Sequence, residues 1–446
     1  MNIAIIGGGI SGLTTAFYIA RARPDVRLHI FEREAHLGGT MYTREIDGFR
    51  FEIGSNGFLS NKPDTLDLVH AAGADDLLLR SSDDSRIRFI FHDGELQRLP
   101  ESPPLFLKSK LLTLRGKLRV AMEPFIRAKT DDRDETLQSF GERRVGKAFT
   151  DVFLNAMSAG IYGNTPEILS VNAAFPMVVA LEREYGGLFR GMIKKKKKEA
   201  GPGGVLMSFK GGVGAFVEHL RNTLPAEFHI GSGVERIEAK DGAYRLHFDD
   251  RTLEVDRVVL STPAYAAADI TADLDPALSN ALAGIDYTPI SVVGFGWNAL
   301  PHPLHGFGLL TTAAAKQEVL GVLWDSSVFA DRAPDGKKMV RIMIGGQRQP
   351  ELAMQSDEEL IATGLRGLRA TMGIDTPPDV RFVQRWERGI PNYRVGHLAQ
   401  VAQIRKLADP HPGLYLNSNA YAGIGINDCV RNSRLAAERV VAELDA

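Results

Sequence analysis

Gly7-x-Gly9-x-x-Gly12 constrains this chain more than any other feature, because of what flanks it. Residues 3–6, Ile-Ala-Ile-Ile, are a continuous apolar run, the pattern of a strand buried on both faces. A helical pattern follows from Ile10 to about Ala22, and a second strand, Arg27 to Phe31, ends at Glu32. This is a βαβ opening. In such a unit Gly7 makes the tight turn, Gly9 lets the backbone approach a diphosphate, and Gly12 lets helix and strand pack closely. The helix amino terminus, with Ser11 in its first turn, offers free N–H groups and partial positive charge to the phosphates. Glu32 lies twenty residues beyond Gly12. A carboxylate there can accept hydrogen bonds from ribose hydroxyls and would repel a 2′-phosphate.

Composition narrows the classes. Of 446 residues, 44% are hydrophobic and 24% charged, with a formal net charge of -2. That excludes a general pull toward nucleic acid, and the length suits two or three domains. Cys429 is the one cysteine, so neither a disulfide nor a cysteine metal centre can form within the chain, and a reducing, cytoplasmic setting is expected. Met1-Asn2-Ile3-Ala4 has no basic leader character. No apolar run approaches the ~18 residues needed to cross a bilayer.

The middle of the chain changes character. Ser109 to Arg127 reads as a helix with apolar Leu111, Leu114, Leu118, Met122 and Phe125 among Lys110, Arg115, Lys117 and Arg119. Such a helix can lie in a membrane interface. Glu142 to Ser158 and Val171 to Tyr185 also read as helices. Lys194–Lys198 reads as a solvated loop leading to a Gly201-Pro202-Gly203-Gly204 break. Strands then return: Phe228–Ile230, Val234–Glu238, Tyr244–Phe248 and Leu253–Leu260. Ser291–Trp297, Gly306–Leu310, Val319–Trp324 and Met339–Ile344 look like a second sheet. Leu414–Leu416 is a short strand before a glycine-containing loop and a last helix from about Ile426 to Leu444. Gly423 and Gly425 permit close approach to a flat ring, and that helix would aim its positive end at it.

Glu34-Ala35-His36-Leu37-Gly38-Gly39-Thr40 resembles the second fingerprint of glutathione-reductase-type FAD enzymes, the group containing amine oxidases and phytoene desaturases. Thr40 stands where many members carry arginine. Further blocks resemble the oxygen-dependent protoporphyrinogen oxidase family within that group. They are Gly54-Ser55-Asn56-Gly57-Phe58-Leu59, Leu99-Pro100-Glu101-Ser102-Pro103-Pro104, the stretch Ser158 to Ser170, Ala173-Ala174-Phe175-Pro176, Gly306 to Leu310, Gly389 to His397 and Ala422 to Cys429. Their order spans nearly the whole chain.

The resemblance implies an α/β (α+β) fold with three parts. A discontinuous FAD-binding Rossmann domain covers 1–85, 205–265 and 390–446, a helical membrane-associated domain covers 86–204, and a mixed-sheet substrate domain covers 266–389. It implies FAD held by Gly7, Gly9, Ser11, Gly12, Glu32, Gly38, Gly39, Thr40, Val234, Gly425 and Ile426. It places Arg88 against a substrate propionate, where a guanidinium fork suits a carboxylate, with Arg86 and His92 close enough to compete for the role. Asn56, Gly160, Leu310, Leu323 and Met343 would line the tetrapyrrole site. The implied reaction takes six electrons from a porphyrinogen, two per flavin cycle, with oxygen as acceptor. No side chain stands out as the base. Peripheral attachment to the inner face of the cell membrane and a homodimer are family expectations. Coproporphyrinogen III oxidation, another flavin amine oxidase or desaturase, and a flavin-free GTPase-binding relative remain alternatives.

Overall fold

The computed structural model describes residues 1–198 and 204–445. Its first layer is a five-stranded parallel sheet in the order Ala226–Ile230, Arg27–Glu32, Asn2–Ile6, Arg257–Leu260, Leu414–Leu416. The helix Ile10–Ala22 packs on it, beside the last helix, Ile426–Leu444. A three-stranded antiparallel meander, Arg236–Lys240, Ala243–His247 and Thr252–Val255, covers the other face. The stretch read as one strand over Leu253–Leu260 divides at Asp256. There Asp256 and Asn2 exchange hydrogen bonds and hold the start of the first strand.

A seven-stranded mixed sheet forms the second body. Its order is Val380–Pro391, Tyr287–Trp297, Lys338–Gly345, Val319–Leu323, Gly308–Thr311, Arg88–His92, Glu95–Arg98. The last two strands precede the helices in sequence, yet they hydrogen-bond into this sheet instead of joining the helical segment. Two buried arginines fasten the bodies together. Arg341 forks onto Asp325 at 2.7 and 2.8 Å and donates to the Glu52 carbonyl at 2.6 Å. Arg332 lies 3.0 Å from the Glu52 carboxylate, which also accepts from Val213 N–H and the Thr43 hydroxyl.

The helical segment is more broken than its periodicity suggests, for local reasons. Thr113 accepts a hydrogen bond from Gly116 N–H and caps a short helix, Leu114–Ala121, so Ser109–Thr113 is not helical. Leu111 is buried, whereas Leu114, Leu118, Met122 and Phe125 face outward. The helix predicted over Glu142–Ser158 breaks at Gly146, whose φ of 91° puts it in the left-handed region, and resumes through a π turn at Thr150–Leu154. The one predicted over Val171–Tyr185 divides before Pro176, which starts the second piece. Lys194–Lys198 ends a helix, Leu188–Lys198, instead of forming a loop, and the break at 201–203 lies outside the described residues.

Arg144 holds this segment from inside. It is fully buried, pairs with Glu123 and lies 3.4 Å from Glu182, and it donates to the Ile126 carbonyl at 2.9 Å. Glu123 accepts from the N–H groups of Leu188 and Phe189. Removing one member of such a set leaves a buried charge uncompensated. Arg144→Ala is expected to cost about 3–5 kcal/mol, read as a fall in the denaturant midpoint. A loss below about 1 kcal/mol, the range of an exposed ion pair, would mean that the network does not hold the segment.

Candidate functional site

The carboxyl ends of the parallel strands open into one cavity. Gly7, Gly9, Ser11, Glu32, Gly38, Gly39, Thr40, Val234 and Ile426 all line it. Gly12 and Gly425 lie just outside, as the close-packed residue of the first helix and the residue preceding the last one.

The glycines divide by what confines them. Gly7 has φ 107°, and a Cβ on Gly12 would lie 2.0 Å from the Gly7 carbonyl oxygen, so both are dictated by the protein's own packing. Gly9 is different: its Cβ would meet only the Gly38 carbonyl oxygen, at 3.9 Å. Gly39, with φ 56°, faces Gly9, whose Cα would lie 3.7 Å from a Cβ built on Gly39. Gly38 N–H donates to the Gly8 carbonyl at 2.9 Å, which ties the two glycine segments side by side. The result is a bare backbone channel over a helix terminus that no side chain caps and whose first turn has no acid.

Other atoms point to a polar ligand. The Ser261 and Thr262 hydroxyls at the end of Arg257–Leu260 are buried and have no partner. So are both polar atoms of the Asn56 amide, which follows Ser55, itself bonded to the Thr40 carbonyl. Buried polar groups without partners are rare, and a ligand that supplies the bonds accounts for them. The Glu32 carboxylate accepts from Gly8 N–H at 2.8 Å and Glu34 N–H at 2.9 Å, which fixes it at the cavity edge. A dinucleotide diphosphate in the channel and a ribose against Glu32 fit these residues.

Val234 reaches the cavity from a loop, because the strand expected to contain it starts only at Arg236. Gly231 has φ 71°, and Ser232 N–H donates to the Glu32 carbonyl, so 231–235 turn across the second strand before pairing begins. At the far end Gly425 precedes a 19-residue helix without a side-chain cap. Asp428 in its first turn is held by Lys62 at 3.2 Å and Arg431 at 3.1 Å.

Several lining residues carried no recognised motif. Thr262, Pro263 and Tyr265 follow the fourth strand of the parallel sheet, and Trp386 and Arg388 come from Val380–Pro391. Arg388 stacks on the Tyr265 ring at 3.9 Å, and Arg33 also lines the cavity. The Ser-Thr-Pro turn at a strand end was a usable signal. Arg388 was not detectable, since its approach depends on how the second sheet sits on the first.

Of the residues expected around a substrate, four fall outside this cavity on one sheet face. Gly308 stands opposite both Arg88 and Leu323, and Gly321 stands opposite both Leu310 and Met343. Side chains alternate along strands, so Arg88, Leu310, Leu323 and Met343 project together. Gly160 meets them from the helix Asn155–Tyr162: a Cβ there would lie 2.7 Å from the Leu310 side chain. Arg88 is exposed, with its guanidinium over the Phe307 ring at 5.0 Å. His397, from the Gly389–His397 block, is buried and stacked on Tyr393, and burial pushes its pKa down to about 4.

A parallel nucleotide sheet with a bare diphosphate channel, joined to a mixed sheet, defines a flavin-type dinucleotide oxidoreductase. Residues 10–441 match the family model for flavin containing amine oxidoreductases, and the chain belongs to that family. It is 27% identical to coproporphyrinogen III oxidase of Bacillus subtilis, over 98% of this chain and 97% of that one. It is 28% identical to chloroplastic protoporphyrinogen oxidase 1 of Arabidopsis thaliana, over 97% of this chain and 86% of that one. A crystal structure from Exiguobacterium sp. 255-15, provisionally assigned as a protoporphyrinogen oxidase, superposes with a TM-score of 0.88 at 27% identity, covering 100% and 99% of the two chains. FAD is the cofactor these residues and this family accommodate.

Two outcomes follow from the site. Gly9→Val should fold but retain little flavin, whereas Gly12→Val should lose both flavin and stability, because only the second side chain collides with the protein itself. Bound flavin absorbance and thermal unfolding separate the two. Equal stability losses would contradict the assignment of the open space at Gly9 to a ligand. The second outcome concerns pH. An unfolded histidine titrates near about 6.5, so between that pH and about 4 the unfolded chain binds a proton that folded His397 refuses. Stability therefore falls as pH drops through this window, and His397→Gln should flatten that part of the unfolding-versus-pH curve.

Proposed function

We propose that this chain oxidises protoporphyrinogen IX to protoporphyrin IX in haem synthesis, with FAD as cofactor and oxygen as acceptor. The observation that carries the reading is the single sheet face presenting Arg88, Leu310, Leu323 and Met343 beside Gly160. An apolar surface ending in one uncommitted guanidinium suits a flat macrocycle with propionates at one edge. The names of the relatives, oxidases of protoporphyrinogen or coproporphyrinogen, support the same class.

FAD, when bound, accepts two electrons per cycle and passes them to oxygen. The chain's own part is placement and charge. Leu310, Leu323 and Met343 would cover the macrocycle by apolar and soft sulfur contact, and Arg88 would fix its orientation through a propionate. The Ile426 helix terminus would stabilise negative charge that develops at the ring lying over it. Asn56, with an unpartnered amide, would hydrogen-bond between cofactor and substrate. No base is assigned: buried, neutral His397 fits a structural place better than proton transfer with substrate.

Coproporphyrinogen III has four carboxylates and would want more cations. Arg341 on this face is committed to Asp325, and Arg348 donates to the Thr311 carbonyl and to Asn155. Arg88 is then the face's uncommitted guanidinium among the described residues, which favours the dicarboxylate. Assay of both porphyrinogens with the purified flavoprotein should give the higher kcat/KM for protoporphyrinogen IX, and the reverse order would transfer the assignment. Arg88→Ala should raise KM by about 10–100-fold, the worth of one charge-assisted contact, with bound flavin unchanged.

We further propose that this protein is cytoplasmic and attached peripherally to the inner face of the cell membrane. No helix among the described residues is long and apolar enough to cross a membrane. Leu107, Leu114, Leu118, Met122 and Phe125 are instead more than half exposed in one segment, with Phe125 at 81%. Lys108, Lys110 and Arg115 punctuate them, a combination suited to an interface. Replacing Leu114, Leu118 and Phe125 together by Ser should abolish sedimentation with anionic vesicles while leaving flavin content unchanged.

A further inference from the structure

A second set of ligand-type side chains lies away from the cavity, at the outer edge of the parallel sheet. Ala226–Ile230 runs parallel to Arg27–Glu32, with Glu227 beside His29 and His229 beside Phe31. Alternation puts His29, Phe31, Glu227 and His229 on one face. His29 Nδ1 lies 3.4 Å from Glu227 Oε2 and 3.5 Å from His229 Nε2. All three ligand atoms lie within 4.8 Å of one another.

These spacings are long for hydrogen bonds, which centre near about 2.9 Å. The two separations from His29 Nδ1 are close to those within a metal set instead. Two donors bound at about 2.0–2.1 Å to a tetrahedral zinc ion are roughly 3.3–3.4 Å apart. The rings are also held. His229 stacks on Phe31 with centroids 4.5 Å apart and planes 9° apart, and Phe31 packs on Phe248. Glu227 is 56% exposed and leaves a path from solvent. Two imidazoles and one carboxylate suit zinc and its neighbours, not magnesium or calcium. Other histidine–carboxylate pairs, such as His411–Asp275 and His247–Glu238, bring no third ligand within range among the described residues. Arg27 and Arg251 lie near the two rings and oppose a divalent charge.

We propose that His29, Glu227 and His229 form a binding site for a zinc-class divalent cation, with a fourth position open to water. The ion would clamp the edge strand to the strand that ends in Glu32. The test equilibrates the flavin-loaded protein with zinc chloride, removes free metal and measures retained zinc, with thermal unfolding in parallel. The wild type should retain close to one zinc per chain and unfold at higher temperature with zinc than without. Magnesium should do neither. His229→Ala should retain almost none. Glu227→Gln, at an exposed side chain that leaves the fold intact, should bind at least about tenfold more weakly, with bound flavin unchanged in both variants. Zinc retention by His229→Ala and Glu227→Gln equal to wild type, or no retention by the wild type, overturns the site.

Discussion

The structure depends on a backbone-to-backbone approach. The Gly38 N–H bonds to the Gly8 carbonyl, and Gly39 faces Gly9 with no side chain between them. A single Cβ in that channel would fill the space where a diphosphate can lie. Everything that follows in the chain converges on the channel: the loop carrying Val234 turns across Glu32, the Ser261–Thr262 turn supplies unpartnered hydroxyls, and the last helix begins at Gly425 on the far side. The protein's packing alone explains Gly7 and Gly12. It does not explain Gly9, and that difference separates a fold requirement from a binding requirement.

The second dependence is electrostatic and buried. Glu52 leaves the nucleotide-binding body and meets Arg332 of the mixed-sheet body, while its own carbonyl accepts from Arg341. Burial raises the pKa of Glu52, and the two guanidiniums work against that rise. A set of charges like this adds little net stability over an apolar contact. It does fix orientation, since each guanidinium accepts partners in only a few directions. The face bearing Arg88, Leu310, Leu323 and Met343 is thereby set at a defined place relative to the cavity.

Much of this was legible in sequence where the signal is local. The strand–glycine–helix opening, the acidic residue ending the second strand and the start of the last helix all fall where the residue pattern puts them, because each depends on neighbours a few positions away. The four strands expected between residues 291 and 344 also fall close to their limits, but Val380–Pro391, the longest strand of that sheet, is not foreseen by its residue pattern. The misreadings share a cause. Ser109–Arg127 has the apolar spacing of one long helix, but Thr113 caps a shorter one and Leu111 turns inward. Gly146 and Pro176 divide the following helices. The resemblance puts Arg88–His92 in the helical part, but its hydrogen bonds lie with Gly308–Thr311, more than two hundred residues away. Arg388 and Tyr265 meet only in three dimensions. Non-local pairing leaves no mark on a single chain's periodicity.

The central claim is that a porphyrinogen delivers its electrons to a flavin lying in this cavity. Anaerobic mixing of the purified yellow protein with protoporphyrinogen IX tests it most directly. The account predicts that the flavin band bleaches as porphyrin absorbance appears, and that admitting oxygen restores it. A flavin band that stays unchanged under excess porphyrinogen, in protein that demonstrably holds FAD, would contradict the account.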